Sequence, residues 1–246
     1  VRIEGSDMWE RLTDISTHTD MGFGVTADNF RESAEFLHEN YGNHIYNAAM
    51  PTFYLYRHSI ELYLKSLITI YHRTFKIDYS NGQSSKHNIP LIKDRRGNPL
   101  DITKCHDILT LYENFVNLVK ENILLLERKA PDGNWNIIND ENLKYVELIR
   151  NYDIDSTYFR YPFTKNQNVD SRKFDVKKIN IEASNLNPSA GESVMVFLNN
   201  EGKVVEAHGS NQLNLNGIEE ALIKLSDYFH RIHSMTRITL NRENKI

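Results

Sequence analysis

One cysteine, Cys105, is all the chain has, which excludes an intrachain disulfide and a thiolate metal cluster. That economy suits a reducing cytosol, and a cytoplasmic location is expected. No apolar run approaches the ~18 residues of a membrane span, so no membrane association is expected either. The formal net charge of −4 offers no basic footprint for duplex nucleic acid, and any nucleic-acid contact would have to be a local patch. Gly22-Phe23-Gly24 is too short for a phosphate loop, and no P-loop pattern occurs elsewhere. Internal repeats and low-complexity tracts are also missing. The opening residues, Val1-Arg2-Ile3-Glu4-Gly5, lack the basic and apolar regions of a signal peptide and an initiator methionine, and read as a trimmed chain or a fragment.

What is present is ordinary globular material. With 246 residues, 40% hydrophobic and 25% charged, the chain is long enough for one domain, 1–246, with a sizeable core. Thr26-Ala27-Asp28-Asn29 offers N-caps for a short amphipathic helix, Phe30 to Leu37, ending near Tyr41-Gly42-Asn43. A longer helix begins at or just before Pro51 and runs to Phe75 without internal Gly or Pro. Residues 76–104 read as a long loop excursion with a small hairpin at Leu91-Ile92-Lys93. Helical spacing returns from His106 to Arg128, stops at Asp132-Gly133-Asn134, and resumes from Glu141 to Tyr152. After Pro162 the pattern alternates in strand fashion at 174–176 and 179–181. Val194–Leu198 and Val204–Glu206, joined through Gly202, then form a β-hairpin, so that 170–210 is an insertion before a final helix from Gly217 to Met235. The fold class expected is mainly α, with a small β-hairpin insertion.

The long helix carries an unusual line of charge. At roughly 100° per residue, Arg57, His58, Glu61 and Lys65 fall within a quarter of its circumference. Phe53, Tyr56, Ile60, Leu64, Leu67 and Tyr71 form the neighbouring core face, and Leu55, Leu62 and Ile70 flank the line on its other side. Such charges are expected to be partly buried, and must then be paired. Two readings stand. Arg57–Glu61 and Glu61–Lys65 are i,i+4 pairs of the kind that merely support a helix. Alternatively, Arg57, His58 and Lys65 present cations to a cleft, positioned by Glu61, and bind a phosphate or a nucleotide.

The stretch Phe53-Tyr54-Leu55-Tyr56-Arg57-His58-Ser59-Ile60-Glu61-Leu62-Tyr63-Leu64-Lys65 resembles the Arg-His-x-x-Glu-Leu-x-Leu-Lys segment of uncharacterised bacterial HEPN-like proteins. His106-Asp107-Ile108-Leu109 is similar to the His-Asp-Leu helix start that follows in that group. Asp153-Ile154-Asp155-Ser156-Thr157-Tyr158-Phe159-Arg160-Tyr161-Pro162 is similar to its later Asp-x-x-Ser-x-x-Phe-Arg-Tyr-Pro segment. The resemblance covers residues 50–165 and the closing helix. It implies an antiparallel up-and-down helical bundle, usually dimeric. Members of the wider group are metal-independent endoribonucleases, toxins and phage-defence effectors, beside silent members that bind nucleotides or partner proteins. The Arg-x4–6-His pair of the catalytic members has no late counterpart here, since the closing helix reads His230-Arg231-Ile232-His233. Arg31 and His38 have six residues between them but lie early.

The resemblance implies that His106 lies near Arg57 and Glu61, where it could exchange protons near neutral pH; read locally, it is a capping or first-turn residue. Ser156, Arg160 and Tyr161 lie on the turn into Pro162. Arg160 is either an anion clamp or a structural partner of Glu61 or Asp155, and Tyr161 a packing lid. His230 and His233 share a helical side, but no third ligand accompanies them, and neither a metal nor a cofactor is expected. Cys105 reads as a buried structural thiol. The expectation is therefore a metal-independent ribonuclease acting on single-stranded RNA, with Arg57, His58, Glu61 and His106 catalytic. Lys65, Ser156, Arg160 and Tyr161 would bind substrate, and Tyr54, Tyr56, Tyr158 and Tyr161 would offer stacking faces. The alternative is a non-catalytic module that binds a nucleotide or a partner protein.

Overall fold

A computed structural model of the chain describes residues 18–40, 49–75, 89–165, 170, 173, 176–179, 194–210 and 217–240. The described residues are mainly helical. In chain order they form α1 (Phe23–Glu39), α2 (Ala49–Phe75), β1 (Leu91–Lys93), β2 (Pro99–Asp101), a 3-10 turn (Ile102–Lys104), α3 (Ile108–Lys129), α4 (Asp140–Tyr152), β3 (Val176–Ile179), β4 (Val194–Leu198), β5 (Val204–Ser210) and α5 (Ile218–Leu240). They divide into two compact units, one holding everything up to Arg160 together with 218–246, the other spanning Tyr161–Gly217. Residues 170–210, read from the sequence as an insertion, fall within the second unit. No described helix is long and apolar enough to cross a membrane.

In the first unit α2 is the central element, packed against α1, α3 and α5, while α4 lies on α3 and α5. From Ser59 to His72 every residue of α2 is buried, polar ones included. A helix enclosed on all sides must be either apolar all round or internally paired. Here it is paired. Ser59 Oγ lies 2.8 Å from Ser226 Oγ, Tyr63 OH donates to Asp28 at 2.6 Å, and Ser66 Oγ donates to Asp20 at 2.6 Å. Between these polar contacts the core closes on aromatic rings. Phe115 sits with its centroid 6.0 Å from both Tyr71 and Phe229, and Trp135 donates its Nε1–H to Ala130 O at 2.9 Å.

Helix starts follow local chemistry. Asp107 caps α3 through Leu109 N, and Asn139 caps α4 through Asn142 N, ahead of the first-turn acids Asp140 and Glu141. The first helix departs from expectation. It starts at Phe23, seven residues before the expected Phe30, because Asp20 accepts from Gly22 N and Gly24 N while Gly22 takes the left-handed conformation, φ 78°. Asp28, expected as a cap, lies inside the helix and faces Tyr63 and His230 instead. The final helix also runs on past Met235 to Leu240, with Thr236 and Leu240 buried.

The hairpin expected at Leu91–Lys93 is present, antiparallel, with Lys93 opposite Pro99. In the second unit β3, β5 and β4 form an antiparallel sheet in that order, so the expected two-stranded hairpin is in fact part of three strands. The β4–β5 loop closes through Asn199 and Gly202, whose φ of 77° suits glycine. Of the strand alternation expected at 174–176 and 179–181, Phe174, Asp175, Asn180 and Ile181 lie outside the described residues, as does much of the excursion 76–104.

At Gly24, α1 passes close to His233 of α5. A Cβ there would sit 2.2 Å from His233 Nε2 and 2.6 Å from Asp20 Oδ2. Both neighbours are buried and Asp20 is held by three hydrogen bonds, so neither has room to withdraw. Gly24→Ala is therefore expected to lower stability by roughly 1–3 kcal/mol, despite alanine's better helix propensity. Urea unfolding of the variant checks this, and an unchanged or raised midpoint would contradict it.

Candidate functional site

The charge line of α2 is buried more deeply than its pattern implies: Arg57 is 0%, Glu61 1% and Lys65 3% exposed. One carboxylate organises it. Glu61 Oε2 accepts from Arg57 Nη1, and Glu61 Oε1 accepts from Lys65 Nζ at 2.8 Å and contacts His106 Nδ1 at 3.0 Å. Arg57 uses its other nitrogens to hold separate parts of the chain. Nη2 donates to the His106 carbonyl, and Nε lies 3.0 Å from Asp153 Oδ2 as an ion pair whose N–H is not aimed for a hydrogen bond. Asp153, just past the end of α4, turns its other oxygen to Tyr158 N at 2.9 Å. Two cations and two carboxylates therefore neutralise one another inside the fold, and tie α2 to the residues before α3 and after α4.

Burial by itself would raise the Glu61 pKa. The His106 contact and the charges of Arg57 and Lys65 outweigh it and hold the carboxyl far below the usual carboxylate range. Glu61 is thus an anion that only accepts, so the proton on the shared edge belongs to His106 Nδ1. That tautomer carries its ring lone pair on Nε2. His106 is the one member of this group that solvent reaches, its side chain 50% exposed. It lines an open pocket of about 460 Å³ together with Asp94, Arg95, Arg96, Lys104, Asp107 and Asp155. Asp107 caps α3 and pairs with Arg150 Nε at 3.0 Å, so the cap belongs to Asp107, and His106 precedes it. Cys105 lines the same pocket as an inert group, its thiol pushed up by burial to about 11.

The remaining expected site residues lie elsewhere or point inward. His58 packs edge-on to Phe30, centroids 4.6 Å apart, and stacks on Tyr54 at 5.6 Å. Burial lowers its pKa, and its Nδ1 has no hydrogen-bond partner among the described residues. Arg160 is exposed, lies over the Tyr54 ring at 5.8 Å, and donates to the Ser156 carbonyl. Ser156 is buried in a left-handed turn, φ 62°, and so serves the chain path. Tyr56 and Tyr158 are core residues, which corrects their reading as stacking faces; Tyr161 is exposed and belongs to the second unit. The expected convergence of all these groups on one pocket does not occur. The corrections share a cause: helical angle tells which side a residue occupies, whereas depth depends on what packs over that side.

Other candidates resolve as structure. Arg31 pairs with Glu35 at 2.6 Å and His38 with Glu219 at 3.5 Å. His230 and His233 face different acids, Asp28 and Asp20, and no metal-binding group of three occurs among the described residues. The residues that the sequence reading missed are Asp153, Arg95, Arg96 and Lys104. Asp153 opens the Asp-x-x-Ser segment and ends a helix, which was a usable signal. Arg95, Arg96 and Lys104 fell within the excursion 76–104, with no local pattern to single them out.

No family model matches the sequence, and no curated protein and no solved structure matches it either.

Removing the Glu61 charge would leave two cations buried against Asp153 alone, so Glu61→Gln is expected to cost roughly 3–5 kcal/mol of stability. The folded-state pKa of Glu61 lies below its unfolded value. Its contribution is therefore complete above ~4.3, the ordinary glutamate value, and is lost as pH falls below it. Chemical unfolding of the parent at falling pH should show this decline, and Glu61→Gln should flatten it. Equal slopes in both proteins would refute the assignment.

Proposed function

We propose that this protein is a HEPN-like antiparallel helical bundle that cleaves single-stranded RNA without a metal, with His106 as the group that moves the proton. The reading rests on one observation: an exposed imidazole whose Nδ1 lies 3.0 Å from a buried carboxylate that its neighbours keep ionised near neutral pH, at the rim of an open pocket. In this chemistry the RNA's own 2′-hydroxyl attacks the adjacent phosphorus in line. The O–P bond formed replaces the bond to the 5′-oxygen, which leaves and takes a proton from solvent water. His106 Nε2 accepts the proton of the 2′-hydroxyl, and the fixed charge of Glu61 stabilises the imidazolium that results. Arg57 and Lys65, buried and committed to Glu61, act as positioning residues: they hold the carboxylate, and Arg57 holds the His106 carbonyl. Arg160 and Tyr54, a guanidinium over a ring, offer a place for an unstacked base. The setting proposed is cytoplasmic, in a bacterial toxin or phage-defence system, with the protein acting as a homodimer.

A second reading is supported by a different observation. No cation expected to be catalytic reaches the pocket, since Arg57 and Lys65 are enclosed. On that reading the protein is a silent HEPN-like module that holds a nucleotide or a partner protein at the same place.

Labelled total RNA in EDTA separates the two. The ribonuclease reading expects fragments with 2′,3′-cyclic phosphate ends, and a loss of at least ~100-fold in rate for His106→Ala. That variant should melt within a few degrees of the parent, because the side chain is half exposed. Intact RNA together with a nucleotide-dependent rise in melting temperature would instead favour the binding module.

A further inference from the structure

The pocket beside His106 has one wall made by residues that neither reading above uses. The tip of the β1–β2 hairpin is a stiff turn built by one carboxylate. Asp94 Oδ1 accepts from Arg96 N at 2.9 Å and from Asn98 N at 2.7 Å, Asp94 O accepts from Gly97 N at 2.9 Å, and Gly97 takes a φ of 83°. Asn114 of α3 clamps the hairpin from below: its Nδ2 donates to Lys93 O at 2.8 Å and its Oδ1 accepts from Lys93 N at 3.0 Å. Asp101 then caps the 3-10 turn through Thr103 N at 2.8 Å, and that turn brings Lys104 to the pocket. These bonds fix the backbone of the tip, from which the exposed side chains of Arg95 and Arg96 reach the pocket.

The partners of the pocket's charges point the same way. Asp94 is committed to its own turn, Asp107 to the α3 cap and Arg150, and Asp155 accepts from the Thr157 hydroxyl. Arg95, Arg96 and Lys104, by contrast, make no ion pair within 4 Å among the described residues, although the Arg96 charge acts on Asp94 and helps to lower its pKa. The three carboxylates each have hydrogen-bond donors of their own, whereas Arg95 and Lys104 have no ion-pair partner among the described residues. A ligand that satisfies these cations must carry several anionic oxygens, which is the chemistry of phosphate.

We infer that Arg95, Arg96 and Lys104 form a phosphate-binding subsite that seats the backbone of a single RNA strand next to His106. The inference rests on the reading of His106 as the reactive group, and supplies the cations that the enclosed Arg57 and Lys65 cannot. Two sources could deliver the phosphates, an RNA strand or the polyphosphate of a free nucleotide, and the strand is favoured by the openness of the pocket.

Fluorescence anisotropy with labelled oligouridylate tests this, using His106→Ala protein so that no cleavage intervenes. Each phosphate contact on a single strand contributes ~0.7 to the slope of log K against log salt, so three contacts amount to about 2. Adding Arg95→Ala, Arg96→Ala and Lys104→Ala should flatten the slope by about that much and weaken binding roughly tenfold for each residue removed. Lys120→Ala, on α3 and outside the pocket, should change neither. Equal affinity in the triple variant overturns the subsite, as does the absence of salt-dependent binding by the His106→Ala protein. Binding of ATP without binding of oligouridylate also overturns the strand proposal, and assigns the cations to a nucleotide. The two readings fail separately. A protein that binds the strand through these residues yet never cuts it loses the ribonuclease reading alone. One that cuts RNA with the same KM after the triple substitution loses the subsite alone.

Discussion

A guanidinium closed off from water among packed helices has to be neutralised where it lies, and the elements around Arg57 are arranged to do that. Its three nitrogens reach a carboxylate on its own helix, a carbonyl just before α3, and a carboxylate just after α4. None of those partners can move without exposing an uncompensated charge to a low-dielectric interior. Glu61 extends the same constraint to Lys65 and His106. The position of His106, exposed at the surface, is therefore a consequence of buried electrostatics, and the pocket rim inherits the rigidity of the core.

This arrangement separates two roles that often fall on the same residues. Inside, fixed charges cancel and hold geometry. Outside, His106 and the hairpin cations remain open to a ligand. The second polar cluster, in which Asp20 and Asp28 meet His233, Ser66, Tyr63 and His230, follows the inner pattern on the α1–α5 side of α2. Burial opposes the charge of Asp20, while the nearby His233, 3.6 Å away, and hydrogen bonds from Ser66 and Gly24 N favour it, so it too ties helices together through a carboxylate held below the usual range. Both clusters place an acid among donors from different elements, which favours one register of packing over its neighbours. The hydrogen-bonded contacts of Ser59 and Tyr63 with α5 act in the same sense.

Periodicity and local chemistry determined a good deal of this protein without help from tertiary structure. An unbroken helix from Pro51 to Phe75, the small hairpin at Leu91 and the β4–β5 hairpin follow from interactions within a few residues, and each is present. The start of α1 was missed because its cap comes from Asp20, upstream of the candidate caps at 26–29, and depends on a left-handed Gly22. What only the tertiary structure decided is depth and partnership. Arg57, Glu61 and Lys65 share a helical side by sequence, yet their enclosure depends on packing contributed from residues 106 and 153. Arg95 and Arg96 come to His106 through a hairpin whose seat on α3 is an Asn114 contact 21 residues away. Helical angle is a property of one segment and can be read from it; burial and ion pairing belong to several segments at once, and exist only when the chain has closed.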